Sequence, residues 1–342
     1  MPHFEGLATG IGSMPHKDVN EALELILKYT PEIPFWPQLP QKDFREAMNI
    51  QYSEGFPCLE PNPQGIFFNS KEMDVHLERF YDKIINADVS SFKVSPDFAA
   101  GLWKLYDRLL RGNGKEIQYI KCQIVGPFTF AASINDDKGV ALVHHDVCMQ
   151  AIVKGLAMKA VWQVELFKKI GKRMIMFIDE PYLGSFGSAY TALNRDDVVR
   201  VLSELSGEIR SKGPLIGVHC CGNTDWSIFT DIDSIDIISF DAYGFLDKVL
   251  LYAEDLKKFF DRGGILCWGI VPTGDFSNEI TAEALVDKVR SGIDTLVKKG
   301  VDKELLLESM ILSPSCGMGT LDLPTTEKIM STLAQVSQII RK

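Results

Sequence analysis

The stretch "GVHCCGNTDW", residues 217–226, sets a histidine and two cysteines side by side just ahead of a Gly-Asn turn. The residues leading into it, "PLIGVHC", are β-branched and apolar, so His219, Cys220 and Cys221 are expected at or just past the end of a strand. Side chains alternate along a strand, which sends His219 and Cys221 one way and Cys220 the other. An imidazole and a thiol converging on one point make half of a tetrahedral zinc site, and the remaining ligands must come from elsewhere in the chain. Cys316, in "LSPSCGMG", is the natural second sulfur, because Pro314, Gly317 and Gly319 suit a tight loop that presents a thiolate inward. Asp241, in "ISFDAY", is a candidate oxygen donor, with capping of the following helix as its other reading. A zinc ion held by two thiolates and a carboxylate is electron-rich. It suits activation of a thiol substrate better than production of hydroxide.

These groups need a scaffold that gathers distant strand ends. Eight short apolar runs alternate with helix-like stretches: "GLATGIGS", "EIPFWPQ", "EIQYIKCQIVGP", "RMIMFIDEP", "PLIGVHC", "IDIISFDAY", "GILCWGIVP" and "LLLESMILSPSCG". Eight strands buried on both faces, each followed by a helix, describe an α/β fold of the (β/α)8 TIM-barrel type. A doubly wound open sheet is the competing architecture. Position favours the barrel: the polar clusters "GIGSMP", "DEP", "HCCGN", "FDAY", "WGIVPT" and "SPSCGMG" all follow strands, where barrel enzymes place their chemistry. Residues 38–114 are too long for one barrel connection. They are expected to form an elaboration over the barrel mouth, between the second strand and the third, within a single catalytic domain spanning 1–342. Helices are expected near residues 71–85, 96–111 and 140–169.

Composition narrows the partners. A chain of 342 residues with 46% hydrophobic residues buries a substantial core, and its net charge of -10 with no basic run argues against nucleic acid or an anionic membrane as partner. The N-terminal stretch lacks the character of a signal peptide and no apolar stretch reaches a membrane span, so a cytoplasmic location is expected. Seven cysteines scattered over a long chain do not form a disulfide framework. Cys58, Cys122, Cys148, Cys220 and Cys267 read as packing thiols. Asp179 and Glu180, closing the strand "RMIMFIDEP", are candidates for holding a substrate amine, with capping or pairing to Lys172 or Arg173 as the alternative. His144 and His145 read as the solvated face of a helix, and His16 is open to either reading.

Taken together, "GIGSMP", "GPFTF" at 126–130, "IDEP" at 178–181, the pair His219 and Cys221, and "PSCG" at 314–317 resemble the catalytic barrel of cobalamin-independent methionine synthase. More broadly, the chain is similar to the uroporphyrinogen decarboxylase and methyltransferase superfamily, as a short, core-type relative. The resemblance implies that His219, Cys221 and Cys316 bind zinc (Zn), that the loop Ile11, Gly12 and Ser13 contacts the amino-acid substrate, and that Asp179 holds its ammonium group. The implied activity is methyl transfer to a thiol, with homocysteine as acceptor and methionine as product. The family supplies a glutamate as fourth ligand where this sequence offers Asp241. It also carries an acidic "GE" motif and a folate-stacking aromatic residue, where this chain reads "FWPQLPQKDF" and "GPFTFAASI". A methylated corrinoid, either methylcobalamin or a corrinoid protein, is therefore the expected donor ahead of a methyl-folate. A uroporphyrinogen-decarboxylase-like enzyme and a methyltransferase acting on coenzyme M are the alternatives.

Overall fold

The computed structural model describes residues 3–112, 114–188, 191–277 and 279–342. Among the described residues nine strands run in chain order: β1 Leu7–Ala8, β2 Leu59–Asn62, β3 Gly65–Phe68, β4 Tyr119–Val125, β5 Arg173–Asp179, β6 Leu215–Cys220, β7 Ile237–Phe240, β8 Ile265–Val271 and β9 Met310–Pro314. Seven of them form one parallel sheet in the order β1-β9-β8-β7-β6-β5-β4, and β2 pairs with β3 as a separate antiparallel hairpin. The connections between successive parallel strands carry helices, among them Asp146–Lys168, Arg195–Arg210, Ala253–Asp261 and Ala282–Lys298, and Leu323–Ile340 follows β9. This is the α/β pattern of a curled, TIM-like sheet.

The apolar run "EIPFWPQ" departs from expectation. It forms no ladder of its own but makes two isolated parallel bridges, Phe35 to Lys121 of β4 and Ser13 to Gln38. Its backbone lies between the two edge strands: Lys121 N donates to Pro34 O at 2.9 Å and Gln38 N donates to Gly12 O at 3.1 Å. Pro34 and Pro37 have no N–H to give, so a continuous ladder cannot form here.

Two apolar clusters show which way the sheet curls. The larger one joins the strands to the helices, with Met176, Ile178 and Val218 packed among residues such as Leu202, Val286 and Ile329. The smaller contains Leu7, Tyr119, Ile175, Phe177, Ile237, Ile265, Cys267 and Ile311, and it draws no residue from any helix. It is the interior face. Along the same face, toward the C-terminal strand ends, the side chains turn polar: Thr9, Lys121, Gln123, Asp179, His219, Ser239 and Ser313 are all buried.

The segment 38–114 contains the hairpin β2–β3 and helices Met48–Ser53, Met73–Ile85 and Ala100–Leu110. The last two match the expected helices. The stretch 140–169 does not form one helix, because a 3-10 turn over Leu142–His144 precedes the helix beginning at Asp146. His144 and His145 therefore precede the helix; His144 is exposed as expected, while His145 is half-buried with its Nε2 3.2 Å from Asp136 Oδ2. No helix among the described residues is long and apolar enough to cross a membrane.

Candidate metal centre

Register brings the first two polar groups together. Asp179 of β5 pairs across the sheet with His219 of β6, and His219 pairs with Ser239 of β7. Directly opposed residues on neighbouring strands share a face, so all three point inward. Ser239 Oγ lies 2.9 Å from His219 Nδ1 and fixes the ring. That leaves Nε2 as the free ring nitrogen, buried and without a hydrogen-bond partner. Holding one imidazole nitrogen to orient the other is the arrangement by which proteins present histidine to a metal.

Cys221 lies one residue beyond β6, and Cys316 two residues beyond β9. The loop carrying Cys316 is pinned on both sides: Ser315 N donates to Val271 O at 2.8 Å, Thr273 N donates to Ser315 Oγ at 3.1 Å, and Met318 N donates to Ser13 O at 2.8 Å. Its close approach depends on Gly269, where a Cβ would stand 2.6 Å from Phe240 O and 2.9 Å from Ser315 Cα. At this point the pairing of β8 with β9 slips by a residue, which bends the strand end toward the loop.

One ligand atom each from His219, Cys221 and Cys316 lies within 4.8 Å of the others, so the trio could hold a metal ion. The donor set fits a borderline-soft ion: one neutral nitrogen and two sulfurs, with an unpartnered imidazole nitrogen among them. Cys221 stands beside Cys316 and holds it far below the ordinary thiol range as a thiolate, with His219 adding to the effect against the cost of burial. The same contact with Cys316, together with burial, pushes Cys221 up.

The cluster opens into a cavity of about 310 Å³ lined by Ile11, Ser13, Gln38, Met48, Asp179 and Thr320 alongside the three metal-ligand candidates. Asp179 is 3% exposed, and its Oδ1 has no hydrogen-bond partner. Burial pushes its carboxyl up, opposed chiefly by the nearby ammonium of Lys121. Lys121 is itself fully buried and held down to about 8 by that burial. Its Nζ donates to Ile11 O and lies 3.3 Å from Gln123 Oε1, tying the loop 11–13 to β4.

Three expected residues stand elsewhere or act differently. Glu180 turns away from the cavity: it accepts from Phe128 N and Thr129 N, both at 2.9 Å, and from Thr129 Oγ1 at 2.6 Å. It closes the N-terminal end of helix Pro127–Ala132, and Gly126 makes room for it, since a Cβ there would meet Glu180 Cδ at 2.1 Å. The reason is alternation, because the residue after an inward Asp179 must face outward. Burial pushes the Glu180 carboxyl up to about 7, against the three hydrogen bonds that favour its charged form. Asp241 lies outside the trio, with Oδ1 accepting from Gly244 N at 2.7 Å in the turn after β7. Gly12 contributes backbone only, through its bond to Gln38 N.

Lys121, Gln123, Ser239 and Gln38 were not singled out from the sequence. Their signal was a polar residue at every second position inside runs read as uniformly apolar, as in "YIKCQIV". Of the thiols expected to pack, Cys122, Cys220 and Cys267 are buried, while Cys58 and Cys148 are half-buried.

The sequence matches no family model and no curated protein. Among solved structures, it is similar to a B12-independent methionine synthase from a Shewanella species in complex with selenomethionine, at 20% identity and TM-score 0.47, over 69% of this chain and 66% of that one. It is also similar to the E. coli 3-keto-D-glucoside 4-epimerase, at 10% identity and TM-score 0.40 over 69% and 86% of the two chains. A third likeness is to the pneumococcal virulence factor StrH, at 10% and 0.48 over 97% and 82%. The chain thus spans just under two thirds of the methionine synthase's length, and at these levels the likenesses assign no function.

Proposed function

We propose that the chain is a zinc-dependent thiol S-methyltransferase, a short, core-type relative of the cobalamin-independent methionine synthases, with homocysteine as acceptor. In this reading the segment 33–38 is the eighth stave of a TIM barrel, and 38–114 covers its mouth. The observation that carries the reading is the meeting of His219, Cys221 and Cys316 at the wall of a cavity that also contains an unpartnered carboxylate oxygen, Asp179 Oδ1. A set of three protein ligands leaves an open coordination position, as catalytic zinc sites require.

A zinc ion held by His219, Cys221 and Cys316 would supply Lewis acidity that lowers the pKa of a docking thiol from about 8.5 into the neutral range. Ser239 keeps His219 Nε2 aimed at the ion's position by holding Nδ1. Asp179 offers Oδ1 to the substrate ammonium, which replaces the carboxylate's lost hydration. Ser13 stands at the same wall, its Oγ 3.5 Å from Gln38 Oε1, within reach of the amino-acid end. Asp241, beyond the trio, feels its charge and serves as a nearby carboxylate rather than a ligand. Positioning the sulfur against the methyl carbon supplies the remaining acceleration. The S–C bond forms as the methyl group leaves its donor, and the thiol proton is released.

As donor we propose a methylated corrinoid, free or on a partner protein, because reduced cobalt departs without needing a general acid. A polycarboxylate substrate of the decarboxylase kind is disfavoured, since neither Arg nor Lys lines the cavity. The deciding experiment measures zinc content of the purified protein, then incubates it with homocysteine and either methylcobalamin or methyl-folate and assays methionine. Stoichiometric zinc with methionine from the cobalamin arm is expected. Zinc-free protein, or no methionine from either donor, overturns the reading.

A further inference from the structure

A second cavity, of about 370 Å³, lies wholly within the segment 38–114 and shares no lining residue with the first. Its walls include the basic side chains of Lys71, His76, Arg79 and Lys83 together with Phe56 and Phe80. Its size falls within the range of small-molecule sites. The charge in it is unusual for this molecule, whose net charge is -10.

The helix Met73–Ile85 sorts its side chains by face. Met73, Leu77, Phe80 and Ile84 form the apolar stripe against the core, and Asp74, Glu78 and Asp82 recur every fourth residue along another face. His76, Arg79 and Lys83 form a third stripe, and all three line the cavity. Among the described residues no carboxylate lies within 4.0 Å of Lys71, Arg79 or Lys83, although most arginines of this chain have such a partner. The acid in the lining, Glu60, is engaged by Asn69 Nδ2 at 3.2 Å. Three unpaired cations around one concavity repel one another, and that repulsion is relieved when a multiply charged anion enters.

We infer that this cavity binds the phosphate group of a small molecule that also carries an apolar ring or chain. The guanidinium of Arg79 offers the planar fork that matches two phosphate oxygens, while Lys71 and Lys83 act as point charges. Phe56 and Phe80 provide the apolar wall for the rest of the ligand. A purely polar anion would leave that wall unused. The inference rests on these residues alone and does not depend on the metal centre.

The test is titration calorimetry of the full chain with phenyl phosphate at low salt, where exposed charges are least screened. Phthalate, which matches the ring and the double charge but lacks the tetrahedral group, is the comparison ligand. Saturable binding of phenyl phosphate is expected, weakened about tenfold by Arg79→Ala and by Lys83→Ala, the loss of one charged hydrogen bond each. Lys212→Ala, at an exposed turn ahead of β6, should leave it unchanged. Cys316→Ser should also leave it unchanged, which separates this site from the metal centre. Absence of saturation, equal affinity for phthalate, or indifference to Arg79→Ala and Lys83→Ala each overturns the inference.

Discussion

Two buried polar regions lie on neighbouring strands and have opposite hydrogen-bond accounts. In the first, between β4 and the segment 33–38, each side-chain amide finds partners: Trp36 Nε1 donates to Gln163 Oε1 at 3.1 Å, Gln163 Nε2 to Gln123 O at 3.1 Å, Gln123 Nε2 to Trp36 O at 3.0 Å, and Gln38 Nε2 to Gln51 Oε1 at 2.8 Å. Tyr52 closes the set by donating to Gln123 O. In the second, at the ends of β5 and β6, Asp179 Oδ1 and His219 Nε2 are equally buried and have no partner. Buried polar atoms cost about 1–3 kcal/mol when unpaired, so a fold tolerates them where a ligand completes them. The matched region is a fastening for the strand-like segment that proline keeps out of the ladder. The unmatched one is where, in the proposed function, a ligand completes the pair.

If that distinction holds, substitutions in the two regions should separate cleanly. The largest effect is expected from Cys316→Ser or Cys221→Ser: zinc measured by elemental analysis should fall from one equivalent to none, and thiol methylation should fall beyond the about 100-fold typical of losing a supporting residue. Retained zinc in either variant would break the comparison. Ser239→Ala removes the group that orients His219, and competition with a chelator should show zinc affinity lowered about 10–100-fold with thermal stability nearly intact. For Asp179→Asn, KM for homocysteine should rise about tenfold while KM for a thiol without an amino group stays level. A matching rise for both thiols would remove Asp179 from substrate recognition. On the other side, Gln163→Leu orphans Trp36 Nε1, and denaturant unfolding should report a loss of about 1–3 kcal/mol with zinc content unchanged.

The smallest effect concerns pH. Glu180 has its carboxyl raised by burial from 4.5 to about 7 in the folded chain, so between those values the native state binds more protons than the unfolded state. Its contribution to stability is therefore full below pH 4.5 and declines as pH rises toward 7. In Glu180→Gln that decline should flatten, measured as the slope of unfolding free energy against pH. An unaltered slope would show that Glu180 does not titrate in this range.

Much of the centre was legible because its signals are local. Seven of the eight apolar runs marked the seven strands of the parallel sheet, and the clusters after them marked the end that carries the candidate site. The i, i+2 spacing of His219 and Cys221 on a strand end placed both on one face, and Cys220 packs on the other, its thiol 3.6 Å from Gly222 O. Glu180 was misread because "FIDEP" offers two adjacent carboxylates after a run apolar on both faces, and such a run does not reveal which parity points inward. Asp241 was ranked with the ligands by chemical type, but a carboxylate can also close the turn it begins, and Gly244 three residues later receives it. The hairpin β2–β3 escaped notice because "LEPNPQGIFF" carries two prolines and no clean alternation.

Residue types and short spacings were enough to determine which atoms could bind a metal and that they stand at strand ends, since both follow from side-chain chemistry and the two-residue period of a strand. The meeting of Cys316 with His219 and Cys221 was decided by the parallel register of four strands and the bend at Gly269, neither of which is written in any local stretch. The same holds for the choice of Asp179 over Glu180. Orientation toward a shared interior is a property of the curled sheet, because only the packing of every other face against helices leaves one parity facing the cavity.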